Sequence, residues 1–220
     1  MAFPITHLLV AEALLARQPR PPEDAAQFML GALAPDAIHY RAEFVNAGMK
    51  NIGHAKKITH LCPVSDERWG AVTDNDGWVK CVYDWKKCNT GPLADGYAAH
   101  VLTDLYNNMT LWEQFRTSHP EEAAKGYSSA YYQDLQEIDL RLYLSQVKDS
   151  QVEQLLAMAK PHDMPGLVSA EEIGAIRDNI LYENYKGRTL DASHKYSFMT
   201  YDITQDFIND AAETILGWLD

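Results

Sequence analysis

The stretch GPLADGYAAHVLTDLYNNM, residues 91 to 109, decides how this 220-residue chain is read. Gly91-Pro92 is a helix opening, because proline in the first helical position lacks only an N–H that would have no partner there. From Leu93 onward apolar and aromatic residues cover most of the helical circumference, the pattern of a helix buried on several sides. The spacing predicts a central helix from about Leu93 to Arg116. Inside it stand His100 and Asp104. Four residues apart, they lie about 40° apart on one face and one turn apart along the axis. Both can reach one divalent cation, the histidine through a neutral imidazole nitrogen and the aspartate through a carboxylate oxygen. A hydrogen-bonded His–Asp pair is the plainer alternative. Ala98, Ala99, Val101, Leu102 and Leu105 make the surroundings apolar, so both side chains need a partner, and a metal satisfies both at once.

Working outward, the periodicity stays helical. Leu8, Leu9, Ala11, Leu14 and Leu15 predict a first helix with Thr6 as its N-cap, broken by Pro19-Arg20-Pro21-Pro22. A second helix is expected from about Glu23 to Ala34, stopped by Pro35, and residues 36–64 read as irregular. Further helices are expected over about Asn75–Lys87, Pro120–Val147, Ser150–Lys160 and Ile203–Leu219, and a capping box, Ser169 to Glu172, opens another. No run alternates with period two. The expectation is one all-α domain over residues 1–220, a bundle of about seven helices.

Composition limits the function classes. Acidic residues number 31 against 19 basic ones, a net charge of −12, which argues against duplex nucleic acid as a partner because phosphate backbones need a basic stripe. It leaves room for a small site where a metal supplies positive charge. No stretch has the ~18 consecutive apolar residues of a transmembrane segment. The start, Met1 to Arg17, lacks a basic leader and carries His7 and Glu12, so it reads as part of the fold and not as a signal peptide. Three cysteines without a C-x-x-C read as free thiols of a reducing, cytoplasmic protein.

Three more positions join the central pair. Asp36 follows the helix stop at Pro35 and precedes His39 by three. A carboxylate on such rigid backbone suits a metal ligand or general base, although it also suits a cap for a short turn. His7 sits early in the first helix. Of the two histidines in the basic stretch 50–60, His60, between Ile58 and Leu61, is favoured for burial over His54. His7, Asp36, His60, His100 and Asp104 together form the nitrogen and oxygen ligand set that zinc and related hydrolytic metals use. Facing helices of a bundle can bring such ligands to one site. Tyr97 and Asn108 share the helix face of the central pair, whereas His119, His162 and His194 read as solvated loop residues.

The order His7, then Phe28-x-x-Gly31-x-x-x-Pro35-Asp36, then Lys57-x-x-His60-Leu61, then Gly96-Tyr97-x-x-His100-x-x-x-Asp104 resembles the bacterial zinc-dependent phospholipase C family. That family is all-α, is related to single-strand-specific zinc nucleases, and hydrolyses phosphoesters with up to three zinc ions. The resemblance covers roughly the first half of the chain, through residue 116. It implies that His7 is the amino-terminal histidine ligand, Asp36 a ligand and the catalytic general base, and His60 the ligand upstream of the central helix. It implies that His100 and Asp104 are the helix pair, Asp104 bridging two metals. Three features depart from the pattern. Met1 stands six residues before His7, where secreted members offer a free amine as a ligand. The further histidine and the His-x-x-x-Glu expected after the central pair are missing, and the one His-x-x-x-Glu present, His39 to Glu43, lies upstream. One or two zinc ions, or another divalent metal, and a small phosphoester substrate are therefore expected, with no implication of a phospholipid.

Two alternatives remain beside this reading. One is a different helical metal-dependent phosphohydrolase, whose adjacent His-Asp dipeptide occurs here only as His162-Asp163 in a Pro-flanked loop. The other is a helical binding or structural protein that kept the scaffold and lost part of the metal site.

Overall fold

Proline and glycine set the frame of the molecule. In the computed structural model, residues 3–50, 52–63, 65, 67 and 69–219 are described. Pro4 opens α1 (Pro4–Arg17), so the N-cap is Phe3 and not the expected Thr6. Pro22 opens α2 (Pro22–Gly31), with Glu23 and Asp24 in its first turn. A 3-10 segment, Ala34–Tyr40, follows and carries Asp36 and His39. Two short helices, α3 (Ala42–Asn46) and α4 (Ile52–Thr59), occupy the stretch expected to be irregular. The segment α5 (Asn75–Cys88) is capped by Asp74, whose side chain accepts from the Gly77 N–H.

The predicted central helix is α6 (Pro92–Met109), which packs against α1, α2, α5 and the 3-10 segment. Tyr97, Ala98, Val101 and Leu105 on it are fully buried. It stops at Thr110, short of the expected Arg116, and α7 (Leu111–Ser118) starts in a new direction. Thr110 leaves helical geometry (φ −119°, ψ −96°) and turns its hydroxyl back onto the Tyr106 carbonyl. The apolar pattern runs straight across this break because Leu111, Trp112 and Phe115 pack against the same core.

The expected long helix of 120–147 is also divided. It comprises α8 (Pro120–Ala123), a 3-10 turn at Gly126–Ser128, and α9 (Ala130–Leu142), capped by Ser129. After α9 the backbone widens to a π turn, with Lys148 N–H bonding the Tyr143 carbonyl. Then come α10 (Gln151–Met158), α11 (Ala170–Asp178) with the Ser169–Glu172 capping box in place, and α12 (Tyr201–Leu219). The domain is all-α. It has twelve α-helices among the described residues, more than the about seven expected: of the eight helical stretches read from the sequence, Thr110 and the 126–129 turn each divide one, and residues 36–64 contain two more. The only strand-like feature among the described residues is a single bridge, Met164 with Val168. Among the described residues, no helix is long and apolar enough to cross a membrane.

One contact positions the site. Gly31 of α2 and Gly96 of α6 cross backbone to backbone. A Cβ on Gly96 would fall 1.9 Å from the Phe28 carbonyl oxygen, and one on Gly31 would fall 2.2 Å from that of Leu93. Side chains larger than hydrogen would wedge the two helices apart. Only this spacing brings the carbonyl of Ala32, just past α2, within 2.7 Å of the His100 ring on α6.

Candidate metal centre

The five residues selected from the sequence converge, each from a different element except the α6 pair. His7 comes from α1, Asp36 from the 3-10 segment, His60 from the residue after α4, and His100 and Asp104 from α6. His7, His60, His100 and Asp104 are at most 3% exposed, and Asp36 is half-buried. The His7 and His100 rings stack with centroids 3.6 Å apart. The Nε2 atoms of His60 and His100 are 3.3 Å apart. His60 Nε2 is 3.6 Å from both Asp36 Oδ1 and Asp104 Oδ2, and His7 Nε2 is 3.5 Å from Asp104 Oδ1. Asp104 thus turns one oxygen to His7 and the other to His60, the bridging position the resemblance implies. Two overlapping sets, His7/His100/Asp104 and Asp36/His60/His100, each bring their ligand atoms within 4.8 Å of one another.

The hydrogen bonds around the rings fix their proton positions. His100 Nδ1 lies 2.7 Å from the Ala32 carbonyl, and His60 Nδ1 lies 2.9 Å from the Lys56 carbonyl. A carbonyl only accepts, so each Nδ1 donates there and each Nε2 is the ring atom left to face the cluster. The two Nε2 atoms stand 3.3 Å apart with carboxylate oxygens beside them. Nε2 atoms of rings anchored through Nδ1 are the usual histidine donors to a metal. His7 points the same way: neither of its buried ring nitrogens has a hydrogen bond. The donor set is three imidazoles and two carboxylates without a thiolate, which fits zinc or a similar divalent ion.

Local structure holds the ligands. The Tyr97 hydroxyl donates to the Thr59 carbonyl at 2.5 Å, and Trp78 Nε1 donates to the His60 carbonyl at 2.7 Å. Leu61 takes a left-handed conformation (φ 52°), ending α4 so that His60 turns inward. Leucine there stores strain that glycine would avoid, and such strain collects at functional sites. Asn108 donates to the Val72 carbonyl and to Asn75, so it supports the loop beside the centre. Asp36 does not cap the turn it begins, and its side chain faces the cluster instead.

Protonation follows from burial and charge. Burial pushes the Asp36 carboxyl up, but Lys56, His60 and His100 together outweigh it and hold it well below the usual carboxylate range. Burial likewise opposes ionisation of Asp104, and the neighbouring His7, 3.5 Å away, outweighs it and holds the carboxyl below the usual range. His100 is kept neutral by burial, reinforced by His7. His39 falls to about 4 through burial and the neighbouring Lys56.

Lys56 is the member that sequence reasoning missed. Its Nζ is 2.9 Å from Asp36 Oδ1 and 3.0 Å from His39 Nε2, and its side chain is 4% exposed. A lysine in a basic stretch reads as surface. The available signal was its position four residues before His60, on the same helix face. His54 of that stretch is exposed, as its glycine and lysine neighbours imply. His194 departs from the expectation of a solvated loop residue, because its Nε2 bonds Asp134 at 2.9 Å. Met1, where secreted members of the resembled family place an amine ligand, lies outside the described residues.

Two cavities reach the centre, one at Asp104 and one at Asp36. One of about 210 Å³ is lined by Trp69, Trp78, Trp112 and Asp104. The other, of about 610 Å³, is lined by Asp36, His39 and Lys56 and by apolar residues including Phe3, Met49 and Ile176. Tyr127 and Tyr132 line both. No protein-family profile, curated protein or solved structure matches the chain.

Proposed function

We propose that this protein is a metal-dependent phosphoester hydrolase, related in its motif order to the zinc-dependent phospholipase C family it resembles. The observation that carries the reading is the face-to-face placement of the His60 and His100 Nε2 atoms beside Asp36 and Asp104, with His7 stacked on His100 and without hydrogen bonds of its own. His7, His100 and Asp104, or Asp36, His60 and His100, would hold the ion; the two sets overlap at His100. Zinc or a similar divalent ion bound there supplies Lewis acidity toward a phosphoryl oxygen and a water that loses its proton near neutral pH. Asp36, ionised and lining the larger cavity, would be the residue placed to take up a proton there. The metal-bearing pocket also resolves the conflict between an acidic surface and an anionic substrate.

The test is hydrolysis of simple phosphomonoesters and phosphodiesters by zinc-loaded protein, before and after chelation. Turnover lost on chelation and restored by zinc supports the reading. Depth of burial favours a second reading, a structural metal in a non-catalytic helical protein, since four of the five ligands are at most 3% exposed. Metal retained without turnover of any phosphoester would select it.

A further inference from the structure

The charge count at the centre leaves a gap that Lys56 fills. Metal ligands bind as neutral imidazoles and ionised carboxylates. One divalent ion set against Asp36 and Asp104 therefore leaves no net positive charge to hold an anion. The downstream ligands that would bring in further ions are missing from the sequence. Lys56, however, buries an ammonium beside Asp36, at the edge of the larger cavity and one hydrogen bond from a ligand atom. Its stem runs beside the Trp69 ring, with Nζ 5.4 Å from the centroid. Two of its three N–H groups face Asp36 Oδ1 and His39 Nε2. His39 must accept that bond, so it cannot also offer a donor from Nε2.

We propose that Lys56 is a substrate-binding residue that does the work of a further metal ion: its third N–H, beside the larger cavity, binds a phosphoryl oxygen of the substrate. The proposal rests on the metal-dependent reading above. It gives the centre a net positive charge with a single divalent ion bound. It also accounts for the burial of a lysine, whose desolvation would otherwise serve only to pair Asp36.

The experiment measures zinc content and the binding of inorganic phosphate to zinc-loaded protein by calorimetry, for wild type, Lys56→Met and Lys56→Gln. The expected result is zinc content equal to wild type in both variants, with phosphate bound roughly tenfold to a hundredfold more weakly, the loss of one charge-assisted hydrogen bond. In wild type, the Lys56 Cε–H resonance should shift as phosphate is added, a readout that needs no variant to fold. Equal phosphate affinity in all three proteins with zinc retained, or an unmoved Lys56 resonance, overturns the proposal and leaves the hydrolase reading standing. Loss of zinc together with phosphate also overturns it, because Lys56 would then act only by positioning Asp36. Failure of wild type to take up zinc at all overturns the hydrolase reading, and this one with it.

Discussion

Helix α9 and the centre around α6 both place carboxylates inside the protein, and treat them in opposite ways. On α9, Asp134 accepts three backbone N–H bonds, from Ser197, Phe198 and Met199, and one from His194. Asp139, one turn further, accepts from the Ile5 N–H at 3.0 Å and from the Tyr185 hydroxyl at 2.5 Å. Every oxygen there has a protein donor. Around α6, the His60 and His100 Nε2 atoms face each other beside two carboxylates, and the ring nitrogens of His7 have no hydrogen bond. The first arrangement ties distant parts of the chain together: Asp134 fastens the 194–199 loop, and Asp139 anchors the start of α1 two residues before His7. The second is the arrangement that, in the proposed reading, a cation completes. Buried polar groups that serve the fold are usually satisfied by the fold, so the two buried His7 nitrogens without hydrogen bonds favour a ligand there.

The contrast can be broken at four points. The largest effect should come from Asp134→Ala, which removes the acceptor of four bonds at once. Chemical denaturation should show a loss of roughly 3–5 kcal/mol, with zinc affinity of the folded fraction unchanged. Loss of zinc binding there would merge the two regions into one. Next is the pH response of Asp139, whose carboxyl burial lifts to about 6 against the donors that oppose it. Between about pH 4 and 6 the folded state keeps a proton that the unfolded chain has lost. Stability from this group is therefore full at low pH and falls by about 3 kcal/mol as pH rises through that window. Denaturation midpoints of Asp139→Asn should lack this slope.

Gly96→Ala should cost about 1–3 kcal/mol, since its methyl meets the Phe28 carbonyl and α2 must yield. Zinc affinity should fall with it, because the Ala32 carbonyl that orients His100 moves with α2; unchanged affinity would detach the glycine crossing from the site. The smallest effect on stability belongs to His7→Leu, less than about 1 kcal/mol in metal-free protein, because no hydrogen bond is lost. Its zinc affinity should nevertheless drop at least about tenfold. A large loss of metal-free stability would show that His7 is an ordinary core residue.

The two regions also differ in how much the sequence discloses. The α6 centre was legible because its ligands sit at fixed local spacings: His100 and Asp104 one helical turn apart, Asp36 directly after Pro35. The carboxylates of α9 were not, because their partners lie 46 to 134 residues away and most are backbone N–H groups, which have no side-chain signature. His194 was misread for the same reason. Helix ends were lost where an apolar pattern continues through a change of direction, as at Thr110. Helices α3 and α4 were hidden by short length and polar composition; α3 buries no residue at all, and one of the two residues that α4 buries is Lys56. The glycines of the motif were visible as letters, but their reason, the crossing of Gly31 and Gly96, needed the fold.

The central claim is that the α6 cluster is a metal centre, and metal analysis tests it most directly. Protein purified without added metal, and Asp104→Asn purified alongside, would be assayed for bound metal and for the shift in melting temperature on adding Zn²⁺. The account predicts about one or two zinc-like ions per chain in wild type, little in Asp104→Asn, and a higher melting temperature with zinc in wild type only. A wild-type protein free of metal whose melting temperature does not move with zinc would contradict it.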